Sequence, residues 1–302
     1  MPQSILKWLY RMVLRFTVRP FIGPPFPFAF QRRYVATMTR TVPGPRGVVS
    51  ESVSKDPVPL TRVAAGRDDP KARPALLWVH GGGFVLGSAK THAPLGGFLA
   101  TSAGADVYLP DYRLAPEHPF PAATDDVFRA YEQVLSRGHD PARVAIGGDS
   151  AGGAIALLAA LEIQDMELAS PAALVLASPV TDLTLSGPSI EERRRREALL
   201  RRGWLYEGYR AFAGSRSLSD PQVSPLYADL GGLPPTLIQV GEEEILLDDS
   251  LRLADRAWAA GVEVELQRYP GMWHDFQLHA AFIDDAAEAN EQIGAFLRRR
   301  WS

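Results

Sequence analysis

Apolar positions recur along this chain in two rhythms. Short apolar runs, each closed by glycine, proline or a charge, alternate with stretches of roughly 3.6-residue period. That alternation predicts an α/β domain, with a mostly parallel sheet flanked by helices. Buried-type strands are expected at residues 75–79, 106–109, 143–147, 172–177, 236–240 and 263–268. Helices are expected at 91–103, 124–136, 154–163, 247–260 and 280–299. Two edge-type strands, 46–53 and 59–64, flank a turn around Asp56-Pro57, and residues 66–73 read as a charged surface loop.

Three stretches break this rhythm. In residues 4–19, Ile5, Trp8, Leu9, Met12, Val13 and Phe16 share one helical face, with Lys7, Arg11, Arg15 and Arg19 mostly off it. The plain expectation is a helix packed on its own protein. The sharper one is a helix resting on a lipid surface or substrate aggregate. Residues 20–30 hold four prolines and four phenylalanines, too many prolines for a regular helix or an interior strand. They read as an ordered arm laying aromatics over a pocket, or as a packed linker. Residues 184–220 look like an insertion between core strands. A charged helix over 191–202 would pair Glu191 with Arg195 and Glu192 with Arg196. Trp204, Tyr206, Tyr209 and Phe212 would follow it and face a cleft.

Composition removes several classes of function. The 302 residues are 46 % hydrophobic and 22 % charged with a net charge of −3, which gives no general field for nucleic acid. With no cysteine, disulfides and thiolate chemistry are excluded, and six scattered histidines show no zinc spacing. Neither a membrane span nor a signal peptide is read, so the expectation is a soluble, cytoplasmic protein needing no metal and no organic cofactor.

The candidate chemistry centres on residues 143–153. An apolar strand there runs into Gly148-Asp149-Ser150-Ala151-Gly152, and a small-residue helix pattern follows at once. Gly-x-Ser-x-Gly alone is weak evidence, arising by chance about 0.1 times in a chain of this length. The strand–turn–helix context makes it a candidate nucleophile elbow, with Ser150 held on a strained turn and glycines where strand and helix nearly touch. Upstream, strand 75–79 runs into His80-Gly81-Gly82-Gly83. No Lys-Ser/Thr follows Gly83, so a phosphate loop is rejected, and backbone amides facing an oxyanion are the alternative to a plain flexible turn.

A serine hydroxyl needs a general base, and the base needs an acid to fix its tautomer. Beyond Ser150 only His274 and His279 are available. His274 lies in the loop after the last strand and is the better base, because His279 sits further on where a helix begins. The acid should follow strand 236–240, where Glu242, Glu243, Glu244, Asp248 and Asp249 all stand. The residues alone leave that choice open, since most carboxylates there would be helix N-terminal charges.

His80-Gly81-Gly82-Gly83, the 112–122 stretch, Gly148-Asp149-Ser150-Ala151-Gly152-Gly153 and Ser178-Pro179 together resemble the hormone-sensitive-lipase-like esterases of the α/β-hydrolase superfamily. The resemblance covers roughly residues 60–300. It implies the α/β-hydrolase fold, with a helical cap made by residues 1–45 and by an insertion, 184–220, after the sixth strand of a catalytic domain 46–302. It also implies an acid within a segment like Asp-Pro-Leu-x-Asp-Glu. Alignment on Leu246 and Asp248 puts Glu244 at the acid, with Asp248 second. Glu for Asp, Ile245 for proline, and His274-Asp275 for the frequent His-Gly are departures. The same carry-over makes the amides of Gly82, Gly83 and Ala151 the oxyanion donors, and gives His80 and Asp149 supporting hydrogen bonds.

The implied activity is hydrolysis of short- to medium-chain carboxylic esters through Ser150, His274 and Glu244. A lactone hydrolase or an amidase/deacetylase would use the same groups. A ligand-binding protein on a retired hydrolase scaffold is the reading from another class, although such a protein usually lacks a triad member. A homodimer, and membrane-surface contact through the N-terminal helix, stay open.

Overall fold

The computed structural model describes residues 2–66, 73–166 and 168–302. Eight strands form one sheet in the order β1-β2-β4-β3-β5-β6-β7-β8. They are β1 Val48–Ser54, β2 Leu60–Ala65, β3 Ala75–Val79, β4 Asp106–Pro110, β5 Val144–Asp149, β6 Ala173–Ala177, β7 Thr236–Gly241 and β8 Val264–Tyr269. Only β2 runs against its neighbours, pairing antiparallel with β1 and β4. The other pairings are parallel, so β3, β5, β6, β7 and β8 all end at the same edge. Chain order changes direction at β3, which lies between β4 and β5, and ligand sites of open parallel sheets form beyond such a reversal.

Strand alternation sends Leu77 and Val79 to one face, and Leu76 and Trp78 to the other. Helices α4 (Ala122–Ser136), α5 (Ser150–Asp165) and α8 (Leu247–Ala259) cover the first face. Helices α3 (Ala89–Ala103) and α9 (Asp284–Trp301) cover the second. The expected alternation is therefore present, with boundaries displaced by a few residues; α9 begins at Asp284 rather than 280. Most of the expected 66–73 loop lies outside the described residues.

The remaining helices are α1 (Gln3–Val13), extended by a π-helical turn Leu14–Val18, then α2 (Phe28–Met38), α6 (Ser189–Glu192) and α7 (Arg202–Ala213). Here several expectations fail. The apolar stripe of α1 faces outward, leaving Ile5, Trp8, Leu9, Val13 and Phe16 exposed. The opposite side, which carries Leu6, Tyr10 and Leu14 as well as basic residues, is the one packed on the protein. Arg11 donates to Glu243 and to the Arg196 carbonyl, both at 2.8 Å, and Lys7 pairs with Asp285 at 2.5 Å. Apolar packing of Leu6, Tyr10 and Leu14 and these charge-assisted bonds together hold the helix in place.

The helix α2 is not announced by the pattern, because its apolar residues follow no single face. The phenylalanines at 21, 26 and 30 stack on one another and on Tyr34 rather than over a pocket. The charged helix expected at 191–202 ends at Glu192. Glu191 lies 3.8 Å from Arg194 and 4.0 Å from Arg202, while Arg196 reaches Glu243 at 3.7 Å. The helix gives way there because Glu197 turns inward. Its carboxylate is fully buried and accepts the Leu199 and Ile245 amides at 2.7 and 3.1 Å. Among the described residues no helix is long and apolar enough to cross a membrane.

Candidate active site

Ser150 follows β5 directly and opens α5 with φ +52°, a left-handed conformation that costs a non-glycine residue energy. The crowding around it explains its neighbours. A Cβ on Gly148 would lie 2.5 Å from the Gly152 carbonyl oxygen. One on Gly152 would lie 2.1 Å from the Val79 carbonyl oxygen and 2.5 Å from that of His80. No L side chain fits either contact, so α5 can start against the sheet only through glycine.

The loop after β8 brings in His274, whose Nε2 lies 2.8 Å from the Ser150 Oγ. Its Nδ1 lies 2.7 Å from the Glu244 Oε2 in the loop after β7. The other Glu244 oxygen accepts the Gly241 amide at 2.7 Å and the Ser178 hydroxyl at 2.8 Å. Glutamate's extra methylene is thus taken up by a turn that folds the carboxylate back onto its own loop. All three side chains are at least nine-tenths buried. Asp248 lies elsewhere, accepting the Ser189 amide at 2.6 Å. His279 accepts from the Trp273 indole at 3.1 Å, and burial lowers its pKa to about 3, so it stays neutral.

Asp149 joins the elbow to the glycine loop. Its carboxylate accepts the Gly81 amide at 2.9 Å and the Trp78 indole at 2.8 Å, and it lies 3.2 Å from the His92 Nε2. His80 hydrogen-bonds the Gly81 carbonyl at 2.9 Å and stacks on Tyr112. Gly82 and Gly83 adopt φ of +125° and +61°, and a Cβ on Gly82 would sit 2.4 Å from the Leu86 carbonyl oxygen. The amide of Ala151 belongs to the first turn of α5, where helical amides lack an intrahelical acceptor and the helix dipole favours negative charge.

Two residues carry more than their sequence context suggested. Ser178, itself at φ +46°, ties Glu244 to the end of β6; the Ser178-Pro179 segment signalled its place but not this bond. Asp275, at φ +53° and nine-tenths buried, puts its Oδ2 3.2 Å from the His274 Nε2. Burial raises the Asp275 pKa to about 7. Burial alone would lower that of His274, but the facing carboxylates of Asp275 and Glu244 outweigh it and hold the imidazole well above its usual value.

Ser150, His274, Asp275, Asp149 and Gly81 to Gly83 line a cavity of about 410 Å³. Its walls are mostly apolar: Leu14, Val18, Ile22, Leu86, Leu200 and Trp204. Of the four aromatics expected to face a cleft only Trp204 lines it, lying over Gly83, while Tyr209 and Phe212 pack in the core and Tyr206 is exposed. Among the described residues no cluster of three or more acidic or histidine side chains is placed to hold a metal ion.

A family model described as the alpha/beta hydrolase fold matches residues 76–278. The chain belongs to this α/β-hydrolase family. The hydrolase is 41 % identical to an esterase of Acinetobacter venetianus over 222 residues, 73 % of each chain. It is 33 % identical to the putative acetyl-hydrolase LipR of Mycobacterium tuberculosis over 299 residues, 98 % of this chain and 95 % of that protein. A crystal structure of an esterase from the bacterial hormone-sensitive lipase family superposes with a TM-score of 0.93 at 36 % identity, covering all of both chains.

Two outcomes are expected. Gly152→Ala forces α5 off the strand ends and costs about 3 kcal/mol in urea unfolding. Asp275→Asn removes a negative charge facing Nε2, so the imidazole loses its proton more readily. The acidic limb of the kcat/KM profile then moves to lower pH, and an unmoved limb refutes electrostatic contact between the two groups.

Proposed function

We propose that the protein hydrolyses carboxylic esters of short- to medium-chain acids, with Ser150 as nucleophile, His274 as base and Glu244 as the acid behind it. The unbroken contact from Oγ through the imidazole to the Glu244 carboxylate, with Ser150 and His274 lining an apolar cavity, carries this reading. Attack of Oγ on the ester carbonyl carbon passes the hydroxyl proton to Nε2. The negative oxygen that forms faces the amides of Gly82, Gly83 and Ala151, each such donor being worth about 3 kcal/mol at the transition state. When the bond to the alkoxy oxygen breaks, Nε2 returns the proton to the departing alcohol. Water then gives a proton to Nε2 and attacks the acyl-serine carbonyl carbon; as the bond to Oγ breaks, Nε2 returns the proton to Oγ and the acid leaves.

Glu244 holds the Nδ1 proton and steadies the imidazolium formed in each half-reaction. Residues 1–45 and 184–220 serve as a cap over the catalytic domain 46–302, which fits their shared lining of the cavity through Leu14, Ile22, Leu200 and Trp204. The cavity's apolar walls favour an acyl chain over a charged acid.

Ser150→Ala should lower kcat toward p-nitrophenyl butyrate about a millionfold. Glu244→Gln should lower it about ten-thousandfold, while Asp248→Asn leaves it unchanged. Loss in the Asp248 variant instead would move the acid. Turnover of linear esters, lactones and anilides by the purified protein reads the bond class, and a preference for anilides would overturn the ester assignment.

A further inference from the structure

The outward apolar face of α1 is the feature that the catalytic reading leaves unexplained. Surface helices ordinarily turn that face to the core. Here Leu6, Tyr10 and Leu14 pack toward Trp273 and Phe276, and Arg11 and Arg15 bind carbonyls of residues 196 and 195. Trp8 and Phe16 stay 59 % and 68 % exposed, with Ile5, Leu9 and Val13 along the same stripe. The ion pairs and carbonyl bonds fix the helix in this sense.

The stripe is continuous with the cavity mouth. Val13, Met38 and Phe282 line the cavity and are also exposed. The N-terminal segment carries charge of one sign only. Residues 1–50 hold eight basic side chains and no acidic one, in a chain whose net charge is −3. Arg33, Arg40 and Arg46 are exposed and, among the described residues, form no ion pair with an acidic group. Arg40 sits between Thr39 and Thr41, which both line the cavity.

We propose that α1 and the turn 14–18 form an interfacial docking element that seats the cavity mouth on an anionic lipid surface. Its aromatic residues enter the headgroup boundary while the arginines meet lipid phosphates. A second copy of the chain fits less well, since pairing would bring like charges together. An ester dissolved in the lipid would then reach Ser150 without crossing water; this last step rests on the esterase reading, whereas the docking does not.

The test is flotation of the full chain with phosphatidylcholine vesicles and with vesicles equimolar in phosphatidylglycerol. Binding is expected to the anionic vesicles and to weaken as salt is raised. Trp8→Gln/Phe16→Gln should weaken it at least about tenfold, and Arg33→Gln/Arg40→Gln/Arg46→Gln about a hundredfold. Neither variant should change turnover of p-nitrophenyl acetate in solution. Absence of binding to anionic vesicles, or wild-type binding by the aromatic variant, overturns the proposal. So does a fall in molar mass by light scattering in that variant, which would give the face to a second copy. Failure to hydrolyse the soluble ester would count against the catalytic reading and leave the flotation result intact.

Discussion

A fully buried carboxylate in contact with an imidazole is the constraint around which this protein is arranged. Glu244 has no access to water, and an isolated charge there would be too costly to keep. It is held by the Gly241 amide, the Ser178 hydroxyl and the His274 ring, from the ends of β7, β6 and β8. Each donor arrives on a different strand, so the charge is tolerated only when the parallel sheet is assembled in register. The buried charge in turn steadies a nitrogen beside a strained serine. The strain at Ser150, the glycines at 148 and 152, and the Asp149 brace on Gly81 all serve to keep that hydroxyl in reach.

The acid loop is also where the peripheral helices are fastened. Glu197 from the 184–220 segment accepts the amide of Ile245, next to Glu244, and Arg11 of α1 binds Glu243 on its other side. Arg19 donates to the Glu197 carbonyl at 3.3 Å. The N-terminal helix, the 184–220 segment and the loop that carries Glu244 therefore share a few hydrogen bonds.

Much of the architecture was legible in advance because it rests on local rules. Apolar runs ending in glycine mark parallel strands, and Gly148 and Gly152 are demanded by steric contact that no other residue meets. The elbow context brought Ser150 forward, loop position His274 and the resemblance Glu244, and the structure sets them in hydrogen-bond contact. Asp275 was seen only as a departure in the pocket wall. Its approach to Nε2 depends on a left-handed turn that the residue type permits but does not require.

The N-terminal helix shows where local pattern stops. Its amphipathic period was correct and the helix packs on its own protein, but hydrophobic spacing names two faces without saying which one meets the protein. Arg11, Arg15 and Lys7 found acceptors on segments more than 170 residues away, while Leu6, Tyr10 and Leu14 pack beside Trp273 and Phe276, and the stripe stays outward. The amino-acid sequence by itself thus determined the strands, the elbow and the chemical groups available, since each depends on neighbours along the chain. Tertiary structure alone decided which carboxylates face the imidazole and which side of α1 faces outward, since both follow from long-range contacts that no local period encodes.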